Sequence, residues 1–437
     1  MMDFARSAHP GVQAQLDRLS MLSPAGDRLG LERIRDLLDR LGRPQDRLPP
    51  VFHVAGTNGK GSTCVFLRTA LEAAGYKVHV FTSPHLVRFN ERIRIAGRLI
   101  VDEELAALLT EVVDAGTNIE PSFFEVAAAV AILAFARTPA DACILEVGLG
   151  GRLDATNVID RPLVTGITDL ALDHQDFLGN RLIDIAGEKA GIAKRGVPLV
   201  TQNYQPRIAR HIGEIADRVG APWLPRGGAW DANVREAKLR YFDDKGELDL
   251  PLPSLPGPHQ ARNAALAVAI LRQQQDLPVS SDALANGLTS ATWPGRLQLL
   301  GPGPVTARLP GRRVWLDGGH NRSGALAVAA HMAAVAPFDL IFALTRKRRI
   351  ADVLGPLAPL VRKAHTIPLP GHAHHDPRDI AAFAQSKIGP RECYPAYTLD
   401  QAIDILAKDP DGASDILIFG SLYLAGEVLA ANNQVPD

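Results

Sequence analysis

A chain of 437 residues, 46% of them hydrophobic, is long enough for two globular domains with separate cores, which excludes disorder over most of its length. With 47 basic and 48 acidic residues the formal net charge is −1, so no global field draws it to nucleic acid, and the dense basic run Arg346-Lys347-Arg348-Arg349 is too short to change that. Three cysteines, Cys64, Cys143 and Cys393, stand far apart without paired spacing, which argues against a disulfide framework or a zinc site and for a reducing compartment.

In chain order, Met1 to Pro10 lacks a basic segment followed by an apolar run, and no later stretch of about 18 uninterrupted apolar residues occurs. A cytoplasmic chain with no membrane partner is expected. From about Arg28 to Leu41, Leu31, Ile34, Leu37, Leu38 and Leu41 recur at helical spacing, until Gly42 and Pro44 stop the helix. Short apolar runs then alternate with amphipathic helical segments: Val51 to Ala55, Val78 to Phe81, Ala142 to Val147, Leu163 to Ile167 and Pro198 to Thr201 read as strands. Helical crossovers return each strand in the same direction, so the sheet is expected to be mainly parallel. Tyr241 to Leu250 carries Asp244-Lys245-Gly246, a hairpin turn, and Pro251 to Pro258 reads as an irregular loop. A second series begins near Val314 to Leu316 and continues through Leu340 to Leu344 and Ile416 to Phe419, with a helical pattern from Ala325 to Ala334. Trp293-Pro294-Gly295 interrupts both patterns, which sets the expected domains at 1–294 and 295–437. The fold class is α/β: an N-terminal P-loop domain with a mainly parallel sheet flanked by helices, and a smaller Rossmann-like α/β C-terminal domain.

After the first strand comes Gly56-Thr57-Asn58-Gly59-Lys60-Gly61-Ser62-Thr63, followed by a helical pattern. Strand, glycine loop, lysine, hydroxyl and helix make a phosphate cradle. Glycines let backbone N–H groups converge on phosphate oxygens, Lys60 supplies a cation, and Ser62 or Thr63 can face magnesium. Gly61 separates Lys60 from Ser62, a departure from the common GxxxxGK[ST] spacing. The next strand ends at Thr82-Ser83-Pro84-His85 and a third at Glu146, followed by Gly148 to Asp154. Ligands gather beyond the carboxyl ends of parallel strands, so these residues are expected to meet the phosphate loop. A carboxylate closing the apolar run Ala142 to Leu145 is costly to bury unless paired or bound to a cation. Beside a phosphate loop, magnesium is the better of those two partners for Glu146. Asp173-His174 follows the fourth strand, and Lys189 lies in Glu188-Lys189-Ala190-Gly191-Ile192. By itself such an acidic and imidazole pair is more often a surface feature or a satisfied hydrogen bond, its position on the sheet raising its value, and Lys189 fits a solvent-facing helix lysine.

At this point the chain resembles the folylpolyglutamate synthases and bifunctional dihydrofolate synthases, a branch of the Mur ligase superfamily. The matching segments are Gly56 to Ser62, Ser83-Pro84-His85-Leu86, Asn90-Glu91-Arg92-Ile93, Phe123-Phe124-Glu125, Glu146 to Asn157, Asp173-His174, Glu188 to Ile192, Gly295-Arg296-Leu297, Asp317 to Asn321 and Gly420-Ser421-Leu422-Tyr423. Ordered agreement at so many places is more specific than one glycine loop.

The resemblance implies an ATP-dependent amide ligase that joins L-glutamate to dihydropteroate, to reduced folate, or to both, through an acyl phosphate. It implies ATP contacts from Thr57, Asn58, Gly59, Lys60, Gly61, Ser62, Asn263, Arg296, Asp317 and His320. Magnesium would be held by Ser83, Glu146 and His174, with Ser62. Lys189 would carry a carbamate formed from carbon dioxide, and Lys60, Lys189 and His174 would be the catalytic set. Ser122, Phe123, Phe124, Glu125, Leu153, Asp154 and Ala155 match the pterin-binding segments. The C-terminal domain would serve ATP and glutamate, and a monomer is expected.

The chain departs from the family pattern in three places. Gly318 and Ser122 are small changes, from alanine and threonine. Where relatives carry Asp-Lys-Asp, this chain has Arg346-Lys347-Arg348, which fits either attraction of glutamate carboxylates or a solvated loop. The competing readings are a related ligase acting on a cell-wall precursor and a noncatalytic nucleotide-binding module. His372, His374 and His375 read as an exposed polar stretch and receive no role.

Overall fold

The computed structural model describes residues 7–22, 29–388 and 392–437. The N-terminal stretch up to residue 6 and the expected helix start at Arg28 lie outside these. Two compact units result: Met1–Ser254 with Ala261–Ala291 and Asp437, and Leu255–Gln260 with Thr292–Pro436.

The first unit is built on an eight-stranded sheet. Across it run Arg98–Leu99, Ile93–Ile95, Val78–Phe81, Ala142–Glu146, Val51–Ala55, Val164–Ile167, Leu199–Thr201 and Trp223–Pro225. Six strands are parallel, and the two short ones at the Arg98 edge pair antiparallel. Val51–Ala55, Val78–Phe81 and Ala142–Glu146 are buried at every position. Strands covered on both faces read as continuous apolar runs, which is why the sequence places them well. One face is covered by helices Glu32–Arg40, Asp102–Ala115 and Phe123–Arg137; in the last of these residues 125 to 135 are all buried, as expected for a helix apolar all round. Towards the other edge Ala55, Ile167 and Leu199 pack against Leu182–Ala190 and Pro206–Val219. Helix Ser281–Ser290 lies on Lys60–Ala73, where Thr69 donates to the Gly287 carbonyl at 2.7 Å. The hairpin expected around Asp244 is present as Lys238–Asp243 and Gly246–Pro251. Trp230–Arg235 extends it to three strands, an addition the sequence reading did not contain.

The second unit holds a six-stranded sheet ordered Gln298–Leu299, Arg313–Asp317, Asp415–Phe419, Phe338–Phe342, Val361–Thr366 and Glu392–Pro395. All but the first strand are parallel. The strand expected at Leu340 to Leu344 begins two residues earlier, at Phe338, directly after Pro337, and ends at Phe342. Ala343 and Leu344 are also buried, so the apolar run outlasts the paired segment. No helix among the described residues is long and apolar enough to cross a membrane.

Candidate active site

The Val51–Ala55 strand feeds the loop Gly56 to Gly59, and the helix Lys60–Ala73 starts at the lysine. Gly59 caps that helix with φ +87°, the left-handed region in which glycine carries no Cβ penalty. A side chain there would also strike Asn263, which places Asn263 directly against the loop. The loop is fixed from the neighbouring strand: Thr57 and Asn58 N–H donate to the Asp169 carbonyl at 2.8 and 3.2 Å, and Ala171 N–H donates to Thr57 Oγ1 at 3.1 Å. Ser62 and Thr63 are buried in the first turn of the helix, whose N-terminal dipole and unpaired N–H groups favour phosphate.

Lys60 Nζ lies 4.0 Å from Glu146 Oε1, and the Ser83 N–H donates to Glu146 Oε2 at 3.1 Å. Glu146 is buried at the end of its strand. The structure therefore joins Lys60, Ser83 and Glu146 directly. His174 sits at φ +50°, a left-handed conformation that histidine adopts more readily than most residues. Its backbone N–H donates to Asp173 Oδ1 at 2.7 Å, and its Nε2 lies 3.9 Å from the same oxygen.

Lys189 is not a solvent-facing lysine: it is buried, with Nζ 3.5 Å from the Gly150 carbonyl. Burial first, and the Lys60 charge second, lower its pKa to about 7, while Asp173, Asp154 and Glu188 act in the opposite direction. The Gly148 to Asp154 loop packs tightly on the helix that carries it. Arg152 N–H donates to the Glu188 carbonyl at 2.8 Å, and a Cβ on Gly151 would lie 2.7 Å from that carbonyl and 3.0 Å from Lys189 Cα.

The two segments matched to pterin binding are neighbours. The Phe124 ring fills the space a Gly148 Cβ would need, and Phe123 and Phe124 pack against the cluster that includes Ala155. Ser122 and Glu125 form a reciprocal capping box at the start of Phe123–Arg137, and Glu125 also pairs with Arg33 at 3.1 Å. Asp154 is buried and accepts from Leu149 N–H at 2.8 Å, Thr156 N–H at 3.0 Å and Thr156 Oγ1–H at 2.5 Å. Burial raises its pKa, and those donors pull it back. Thr156 spends its proton on Asp154, so the buried His53, 2.8 Å away at Nε2, must be the donor in their bond; burial drops the His53 pKa to about 3.

The sequence reading gave no role to Glu91 and Arg92, although both lie in quoted motifs. Glu91 accepts from the backbone N–H groups of Leu86, Val87 and Arg88 at 2.6 to 2.8 Å and so shapes the loop after Ser83. Arg92 is buried, donates to His85 Nδ1 at 2.8 Å and lies 5.4 Å from the Phe123 ring centre. An apolar neighbourhood interrupted by Asn-Glu-Arg was the available signal.

Arg296, Asp317 and His320 belong to the second unit and cluster there. Asp317, buried at a strand end, accepts from Leu297 and Gly319 N–H at 2.9 and 2.7 Å; burial raises its pKa, and the Arg296 charge opposes that. His320 Nδ1 lies 3.0 Å from the Gly318 carbonyl.

A half-buried lysine at a helix N-terminus, a glycine loop and a buried strand-end carboxylate define a P-loop nucleotide enzyme. No family model matches the chain. It is 35% identical to the dihydrofolate synthase/folylpolyglutamate synthase of Bacillus subtilis, over 92% of this chain and 95% of that protein. The structure of E. coli FolC in complex with DHPP and ADP superposes with a TM-score of 0.86 at 34% identity, covering 97% of each chain. A bifunctional folylpolyglutamate synthase/dihydrofolate synthase with Mn, AMPPNP and L-glutamate bound gives 0.84 at 31% identity, over 98% of this chain and 99% of that one. The chain belongs to the dihydrofolate synthase/folylpolyglutamate synthase family, whose members are ATP-dependent ligases. These similarities favour neither the cell-wall ligase nor the noncatalytic module.

Proposed function

We propose that this protein adds L-glutamate to dihydropteroate and to reduced folates, consuming ATP. The single observation that carries the reading is the cluster in which Lys60 and Ser83 meet the buried Glu146, beside a lysine of lowered pKa, in a chain of this family. One oxygen of the substrate carboxylate attacks the γ-phosphorus of ATP, ADP leaves, and an acyl phosphate remains. The amine of glutamate then attacks the acyl carbon, loses a proton and expels phosphate, which leaves an amide.

Each step assigns work to particular residues. The N–H groups from Gly59 to Ser62 and the Lys60 ammonium hold the phosphates and balance their charge, while those of Thr57 and Asn58 stay on the Asp169 carbonyl and fix the loop. Asn263 contacts the nucleotide from beside Gly59, and Arg296, Asp317 and His320 are nucleotide residues of the second unit. Glu146 carboxylate, Ser83 and Ser62 hydroxyls and His174 imidazole suit magnesium, which commonly takes one or two carboxylates and completes its shell with water and phosphate oxygens. Among the described residues no three His, Cys, Asp or Glu side chains converge as a metal cage, so water and phosphate would supply the remaining ligands. When bound, the ion neutralises charge on the transferring phosphoryl group.

Lys189 with a pKa of about 7 is substantially an unprotonated amine near neutrality. Its nitrogen lone pair adds to the carbon of carbon dioxide and releases a proton, which gives a carbamate anion on the side chain. A buried anion there would favour the cation site that a second ammonium would oppose. Ser122 to Glu125 and Leu153 to Ala155 shape the pterin pocket, with the Phe123 and Phe124 rings offering faces for a flat heterocycle. The enzyme is proposed to work as a cytoplasmic monomer.

The test is phosphate release by the purified protein with dihydropteroate and tetrahydrofolate offered separately, each with glutamate. Release with both is expected. Release with only one acceptor removes the other activity, and release with neither removes the reading.

A further inference from the structure

Two sequence features stay outside this chemistry: the basic run from Arg346 and the histidines around His374. The second unit folds them together. Their loops leave the carboxyl ends of two neighbouring parallel strands, Phe338–Phe342 and Val361–Thr366, the end of an α/β sheet where ligands collect. The Arg346 N–H donates to the Ala373 carbonyl at 3.0 Å, and Thr345 bridges to His374, so the loops are held side by side. They border an open cavity of about 370 Å³ lined by Arg346, His374, His375, Asp376, Pro377 and Asp379. That volume lies within the range of roughly 300 to 1,000 Å³ usual for small-molecule sites.

The polar groups around it are organised. His374 Nδ1 lies 2.7 Å from the His372 carbonyl, and His375 Nε2 lies 2.7 Å from the Arg348 carbonyl. A carbonyl only accepts, so those nitrogens carry protons and the opposite nitrogen of each ring stays available. The Arg346 side chain is exposed and makes no hydrogen bond or ion pair among the described residues. Asp376 is already engaged, since Arg378 binds it at 2.8 Å and its Oδ1 caps the Arg378 N–H at 2.8 Å. Asp379 is the remaining acid on the lining. Over residues 345–352 and 372–379 five basic side chains face three acidic ones, so the excess is positive.

We propose that this cavity holds carboxylates of a γ-linked glutamate chain already attached to the substrate. Arg346 is the fixed cation for a carboxylate, and the uncommitted ring nitrogens of His374 and His375, which line the same cavity, accept from amide N–H groups of the chain. The inference rests on the folate-ligase reading and adds to it a place for the growing tail.

Steady-state kinetics of the full chain test it with three acceptors: dihydropteroate, which has no tail, and mono- and tri-γ-glutamyl tetrahydrofolate. Arg346→Ala, at an exposed position, is expected to raise KM for the triglutamate about tenfold or more, and His374→Ala to raise it further in the double variant. KM for dihydropteroate and for free glutamate should stay within about twofold. An unchanged triglutamate KM overturns the proposal. So does a rise in the KM of free glutamate with every acceptor, which would make the cavity the seat of the incoming amino acid. Wild-type protein inactive with all three acceptors fails the folate reading, and the proposal falls with it; wild-type activity with insensitive variants fails the proposal alone.

Discussion

Lys60 Nζ stands 4.0 Å from Glu146 Oε1, although the two residues come from different strand ends separated by more than eighty positions. Both side chains are largely withdrawn from water, so their charges are weakly screened and a phosphate group entering the loop would meet both. Glu146→Gln keeps the shape and removes the anion. It is expected to raise the magnesium concentration needed for half-maximal rate by about tenfold or more, as measured by phosphate release across a magnesium titration. An unchanged magnesium response would separate Glu146 from the ion.

Lys189 gives a pH prediction with a definite sign. Its folded pKa, about 7, lies below the ordinary lysine value of 10.5, so between those values the unfolded chain binds more protons than the folded one. Burial of Lys189 therefore opposes folding fully below about pH 7, and the penalty fades as pH rises towards 10.5. Lys189→Met should be more stable than the parent near pH 6, by an amount that shrinks through pH 8 and 9, read from denaturant midpoints. The same variant, like Lys189→Ala, is expected to lose turnover by about a hundredfold or more while still binding ATP, as followed by equilibrium nucleotide titration. Parent-like rates would refute the carbamate role.

Much of the central sheet was legible because Val51–Ala55 and Val78–Phe81 are buried on both faces and leave uninterrupted apolar runs. The edge strands Ile93–Ile95 and Arg98–Leu99 were not, since segments of three and two residues carry no period. At the site, glycines and a lysine between strand and helix announced the phosphate loop from local spacing. The environment of Lys189 was illegible for the opposite reason: its burial comes from a loop almost forty residues earlier in the chain, and spacing within its own helix says nothing of that. Ser122 and Glu125 show a signal misjudged by omission. Ser-x-x-Glu before an apolar run is a capping-box pattern, and the structure forms that box at those residues.

The bond from His53 through Thr156 to Asp154 supports the loop that faces Lys189. Thr156→Val removes the hydroxyl at the centre, leaves the His53 donor unsatisfied in the core and strips Asp154 Oδ1 of one of its two donors, the residue 156 N–H remaining. A loss of about 1 to 3 kcal/mol in unfolding free energy is expected from chemical denaturation. KM for dihydropteroate should rise more than KM for ATP, whose phosphate loop is anchored separately through Asp169.

Gly151 tests the packing of that loop on the Lys189 helix. Alanine there would bring its Cβ to 2.7 Å from the Glu188 carbonyl and 3.0 Å from Lys189 Cα, so one backbone must move. Gly151→Ala is expected to cost about 1 to 3 kcal/mol of stability and to lower kcat, whereas Gly311→Ala, in open space but at φ +77°, should lose stability through backbone strain alone and leave kcat unchanged. Equal kcat for the two variants in rate assays would contradict the close approach.

Oxygen labelling tests acyl-phosphate chemistry most directly. Dihydropteroate carrying ¹⁸O in both carboxylate oxygens is incubated with the protein, ATP and glutamate, and the phosphate released is examined by mass spectrometry. One ¹⁸O atom in each phosphate for every amide formed is the predicted result, because the oxygen that attacks phosphorus departs with it. Amide formation accompanied by unlabelled phosphate would contradict activation of the carboxylate by ATP.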